Sequence, residues 1–163
     1  MKKLSLAFLV VLVSVLALVS LSTTALAAPA TKVPFSATLQ ITEILGAKRV
    51  WTDEEGILHL RGWNGRGTIT GDISGQIEII ENVNMDTSSG YGNAQVKGVI
   101  TVGSEEAYRM SADVTMEGYG ATISGTFVIQ GMGSYKGIHV TGTLSTSGTD
   151  QAVLTGTKLT TKP

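Results

Sequence analysis

The chain of 163 residues contains no cysteine. No disulfide can staple it, and metal centres built on thiolates are excluded. Proline is scarce, with 3 residues, so little in the chain forbids long runs of paired strand. Its two histidines, His59 and His139, stand far apart, too few and too distant for a zinc site. No G-x-S-x-G nucleophile elbow is present. After Ala30 no segment shows a helical period.

The one long apolar run is at the start. A basic "MKK" precedes "LSLAFLVVLVSVLALVSLS", and "TTALAAPA" follows with small residues at Ala25 and Ala27. That order predicts a signal peptide over residues 1–27, cleaved on export, a short tail over 28–32 and a single domain over 33–163. The run is nearly long enough for an uncleaved membrane anchor, and the Ala-x-Ala site favours cleavage. A secreted or extracytoplasmic protein is expected. Twelve basic residues less Lys2 and Lys3 leave ten against thirteen acidic ones, so the mature charge is −3. An acidic balance argues against nucleic acid, or a membrane surface after cleavage, as the main partner.

What remains alternates. Tyr108, Met110, Ala112, Val114 and Met116 share one parity, and Arg109, Ser111, Asp113, Thr115 and Glu117 the other. Ala121, Ile123, Gly125, Phe127 and Ile129 form a second row, Ile138, Val140, Gly142 and Leu144 a third, and Ala94 to Val102 a fourth. Phe35, Ala37, Leu39, Ile41 and Leu45 form a fifth, with Glu43 among them. Period two means strands with one dry face. "TDEEGI", "TGDISGQ", "DTSSGYG", "EGYG", "GMGSYKG" and "STSGTD" separate the runs as turns. About eight strands joined up-and-down follow, an all-β antiparallel barrel. "QAVLTGTKL" is the least regular strand, because its apolar residues do not keep one parity.

Glycine recurs inside these strands, in "ITGDI", "ISGQI", "VKGVI", "ISGTF" and "VTGTL". Each interior glycine costs about 0.5–1 kcal/mol relative to alanine. A closed, strongly coiled sheet gives a reason, since a Cβ would clash where strands bend.

The segment "GTFVIQGMGSYKGIHVTGTL", with Gly131, Gly133, Tyr135, Gly137 and Gly142, resembles the C-terminal half of allene-oxide-cyclase-like barrels, the superfamily that includes dirigent proteins and bacterial dirigent-like barrels. "RGTITGDISGQIEI" resembles their central hairpin. The chain departs from the pattern at Val140, where relatives often carry glycine. The resemblance implies an eight-stranded barrel with an apolar lumen, often oligomeric, in a group whose plant members are cyclases or guides of radical coupling. The catalytic positions of that superfamily lie outside the matching segments, so no residue inherits a role.

The densest chemistry lies in "KRVWTDEEGILHLRGWNGR". As a hairpin it would gather Arg49, Trp51, His59, Arg61 and Trp63, a set suited to a sugar, an aromatic ring or a carboxylate, or else a solvated hairpin whose tryptophans cap the barrel. Glu43, by its parity, is the candidate lumen carboxyl, a potential acid or base with a raised pKa unless the strand end exposes it. Tyr108, Met110, Met116, Phe127 and Phe35 would line the lumen, around a ligand or as plain core. "NVNMDTSSG" offers oxygen ligands at Asn82, Asn84, Asp86 and Ser88 without the glycine and carboxylate of a calcium loop, so no metal or cofactor is expected. The expected function is a non-enzymatic barrel that binds a small apolar or aromatic ligand. The alternatives are an isomerase or cyclase using a lumen carboxylate, and a filled structural barrel, in either case with a homo-oligomer left open.

Overall fold

The computed structural model describes residues 30–147 and 151–161. The leader, the first residues of the tail and the tip of "STSGTD" lie outside them. Nine strands follow in chain order: β1 (Thr31–Gly46), β2 (Arg49–Thr52), β3 (Ile57–Gly71), β4 (Gly75–Asp86), β5 (Gly92–Val102), β6 (Glu105–Glu117), β7 (Thr122–Gly131), β8 (Ile138–Ser147) and β9 (Gln151–Thr160). A single 3-10 turn, Gly133–Tyr135, is the only helical element among the described residues.

The expected barrel is present. Neighbours run β1-β9-β8-β7-β6-β5-β4-β3, all antiparallel, and β1 also pairs with β3, which closes a ring of eight. Closure is carried by a short stretch of β1. Ala37 to Gln40 pair with Leu154 to Gln151 on one side and with Gly71 to Thr68 on the other. β2 stands outside the ring and pairs only with β3. It continues the line of β1 along the same edge of β3, since Gly46 faces Asn64 and Arg49 faces Arg61. The ribbon of β2, the start of β3 and the end of β4 therefore rises past the rim. That end, with the β2–β3, β4–β5 and β6–β7 turns, is called upper below.

Apart from Ala121, Glu43 and Leu45 at the strand ends, which are exposed, the alternating rows turn their residues inward as read. Met110, Ala112, Val114 and Met116 are buried, and so are Ala94, Val96, Ile100, Phe127, Ile129, Val140 and Leu144. The irregular strand β9 follows the same rule, with Ala152 and Leu154 buried and Val153 exposed. The lower half of the lumen is full. Phe127, Ile69, Ile77, Ile100, Ile129, Leu154 and Val140 have essentially no exposed surface, and the rings of Phe35 and Phe127 lie 6.0 Å apart. The β3–β4 turn tucks Ile73 into the same core. Asp72 pins that turn to β1, accepting from the Ser36 N–H at 2.7 Å while its own N–H donates to the Ser36 carbonyl.

The inward glycines answer to coiling. Gly142 and Gly156 face each other across β8 and β9. A Cβ on Gly142 would overlap the Thr155 carbonyl oxygen and lie 2.7 Å from the Gly156 Cα, and one on Gly156 would overlap the Thr141 carbonyl oxygen. The two backbones approach where side chains would otherwise hold them apart. Gly142→Ala should therefore destabilise the barrel by about 2 kcal/mol or more, because backbone and not a flexible side chain must move. Thr143→Ala on the outer face should cost under about 0.5 kcal/mol. Urea denaturation of both variants checks this, and equal midpoints would reject the close-approach account.

Candidate functional site

Two β-bulges decide what the upper lumen contains. In β1 the register slips between Ile41 and Glu43, so Ile41 faces Gly67 and Glu43 faces Arg66. The extra residue is Thr42, and parity inverts across it. Glu43, read from parity as the lumen carboxyl, is therefore turned outward. Its side chain is 56% exposed and lies 3.9 Å from the Arg66 guanidinium, which also holds Glu78 at 2.9 Å. In β3 the slip falls between Arg61 and Trp63, at Gly62, whose φ of 63° is left-handed. The Lys48 side chain packs where a Cβ on Gly62 would point. Trp63 is thereby turned inward, away from the residues it was grouped with. Its ring reaches the space beside Gly65, between Ile41 and Ile79.

The rest of the expected hairpin cluster assembles on the outside. Trp51 faces His59 and Arg49 faces Arg61. The indole and imidazole stack at 4.8 Å, and both guanidiniums approach the indole, at 5.2 Å for Arg49 and 5.4 Å for Arg61. Each such cation–π contact is worth about 0.5–1 kcal/mol at a solvated site. His59 is held at both ring nitrogens, Nε2 at 2.8 Å from Asp53 Oδ2 and Nδ1 at 2.8 Å from Asn84 Oδ1. The hydrogen bond from His59 is the main cause holding the Asp53 carboxyl below its ordinary pKa. Arg61 donates to Asn84 Oδ1 and to the Val83 carbonyl, both at 2.6 Å. An imidazole occupied at both nitrogens has no free position for proton transfer to a ligand. The cluster braces β2, β3 and β4 into one ribbon.

The oxygen-rich loop read as a poor calcium site serves itself. Asp86 accepts from the Ser88 N–H and the Ser88 hydroxyl, both at 2.7 Å, and these bonds push its pKa down to about 2.

Inside, the upper lumen is a cavity of about 430 Å³. Leu39, Ile41, Ile79, Val96, Met110, Val114, Met116, Leu144 and Ala152 line it, with Trp63 on β3. Of the five lumen residues read from the sequence, Met110 and Met116 reach this cavity. Tyr108, Phe127 and Phe35 belong instead to the packed lower half, where the Tyr108 and Tyr135 rings lie tilted against each other at 4.9 Å and Phe127 meets Phe35.

One carboxyl does face the cavity, from β4. Glu81 continues the inward row of Ile77, Ile79 and Val83, and sits directly between Trp63 on β3 and Val96 on β5. Among the described residues no lysine, arginine or histidine lines the cavity, and no hydrogen bond or ion pair reaches the Glu81 side chain. Burial, without any compensating partner, pushes its pKa up to about 7. The pattern that could have revealed it is "QIEIIENV", where the glutamate takes the beat of the isoleucines.

Fold and site together define an antiparallel β-barrel whose lumen is packed at one end and hollow, apolar and acid-bearing at the other. No family model matches the chain, and no curated protein matches it.

The Glu81 carboxyl links stability to pH. Its folded-state pKa lies above the ordinary value of 4.5, so between about 4.5 and 7 the folded protein holds a proton that the unfolded chain has lost. Stability is greatest below that window and falls as pH rises through it, because the folded protein gives up its extra proton there. Glu81→Gln should remove that slope and leave the protein more stable than wild type at pH 8. Thermal melts of both proteins from pH 4.5 to 8 check it. A wild-type curve without the slope would mean that the carboxyl reaches water.

Proposed function

We propose that the protein is an extracytoplasmic barrel that binds a small apolar or aromatic ligand in the upper lumen. The observation that carries this reading is the cavity of about 430 Å³, a volume within the range of small-molecule sites and lined mainly by hydrophobic side chains with few polar groups. A barrel kept only for structure has no use for a hollow in its core, because an unfilled cavity costs stability. Two methionines in the wall suit ligands of varied shape. The leader-like start of the chain supports export. Membership in the dirigent-like superfamily is part of the same proposal and rests on the segment from Gly131 to Gly142.

A second reading, proton transfer to the bound ligand, is favoured by one observation: a carboxyl with a pKa near neutrality faces the cavity. Such a group can give or take a proton at physiological pH. In this reading the acid–base residue is Glu81 and not Glu43.

Binding of the apolar dye N-phenylnaphthylamine, followed by its fluorescence, tests the proposal. The wild type should bind with micromolar affinity, about −8 kcal/mol. Ala152→Phe, which fills the cavity wall, should weaken binding at least about tenfold while the melting temperature stays close to wild type. Trp51→Ala, on the outer face, should leave affinity unchanged. Binding that survives Ala152→Phe, or that follows Trp51, would place the ligand elsewhere.

A further inference from the structure

The lumen holds a polar group that its own walls do not satisfy. Glu81 is flanked by Trp63 and Val96 on the neighbouring strands, and the remaining walls supply no cation. Among the described residues the only other titratable group at the cavity is Glu43, which sits at the mouth and turns toward Arg66. An ionised carboxyl in apolar surroundings is costly unless a partner is supplied. Glu81 is half-buried and its carboxyl opens onto the cavity, so its partner there is water or a bound ligand.

We propose that the ligand of the upper lumen is an apolar or aromatic amine, whose ammonium group pairs with the Glu81 carboxylate beside Trp63 while its hydrocarbon part fills the methionine-lined cavity. This rests on the lumen-binding reading and names its substrate class.

Three features select a cation over the other chemistries. An acidic ligand would place like charges together in a low-dielectric site, which is strongly unfavourable. A neutral carbonyl or ether could accept a hydrogen bond from a protonated Glu81, but it gains nothing from Trp63. The indole, directly across the strand pair from Glu81, attracts cations through its ring face. Glu43 at the mouth adds a second acidic group on the way in. The two chemistries also have opposite pH signatures. An ammonium ligand needs the carboxylate, so its affinity rises as Glu81 loses its proton around pH 7. A hydrogen-bond acceptor needs the acid, so its affinity falls over the same range.

The test compares naphthylmethylamine with its neutral isostere naphthylmethanol by calorimetry at pH 5 and pH 8, on the full mature protein. The amine keeps its own proton over this range, so any change reports the protein. At pH 8 the amine should bind at least about tenfold tighter than the alcohol, the margin expected of a partly buried ion pair. That preference should shrink at pH 5 and vanish in Glu81→Gln. Equal affinities at pH 8, a preference for the alcohol, or an amine preference that persists in Glu81→Gln would each overturn the proposal. If Glu81→Gln fails to fold, the wild-type pH comparison still decides. Binding of the alcohol alone would reject the amine and keep the lumen-binding reading. Absence of binding by both, with no N-phenylnaphthylamine signal, would reject the two together.

Discussion

The structure depends on β1 pairing on both sides at once. Over Ala37 to Gln40 its backbone groups serve β9 and β3 together, and without that double pairing the sheet has two open edges and no inside. Closure is what turns parity into burial. Once the ring exists, every second residue of eight strands looks into one shared space, and apolar rows far apart in sequence become a single core. Closure also explains why glycines recur in the inner rows. Where Gly142 meets Gly156, backbone lies against backbone, and the sheet can coil to the small radius that a ring of eight requires.

The ring is filled unevenly. Below, isoleucines and the Phe35–Phe127 pair occupy the lumen completely and the β3–β4 turn closes it with Ile73. Above, β1 and β9 part company after Gln40, the walls carry smaller or more pliable residues such as Ala94, Ala152 and Met116, and a hollow remains. The lower half supplies the packing energy, which leaves the upper half free to carry an unfavourable feature. Glu81 is that feature. A chain selected for stability alone would place an isoleucine on that beat, as it does at 77 and 79. Local rules broken against the stability interest are where function is to be sought.

Much of the fold was legible because it follows from period two. The rows through Tyr108–Met116 and Ile138–Leu144 have one dry face each, and the closed sheet buries that face. The pairing of Trp51 with His59 and of Arg49 with Arg61 was legible too, because a hairpin around "DEEG" allows little else. The candidate site was legible only in kind. The candidate for a lumen carboxyl was Glu43, with exposure at the strand end as the alternative. Parity counting assumes an uninterrupted ladder, and one residue inserted at Thr42 and another at Gly62 each break it. Neither bulge has a pattern in the residues around it that distinguishes it from ordinary strand. Both are set by the rim, where β1 leaves β9 and the Lys48 side chain settles against Gly62. Glu81 needed no such knowledge. It lies on an unbroken ladder from Gln76 to Met85, and alternation alone places it inside.

The bulge at Gly62 has an evolutionary consequence. Most changes to a binding surface proceed by substitution, one side chain at a time. Here one substitution at Gly62 that drew this residue into the regular ladder would exchange whole faces between Ile57 and Arg61: His59 and Arg61 would turn toward the lumen axis, and Leu58 and Leu60 toward solvent. A one-residue slip in the lower half would throw a packed core out of register and be purged. The rim is thus the part of the barrel where the gain or loss of a bulge acts as a switch of polarity, and homologues that lack a glycine at that position would be expected to differ in what they hold.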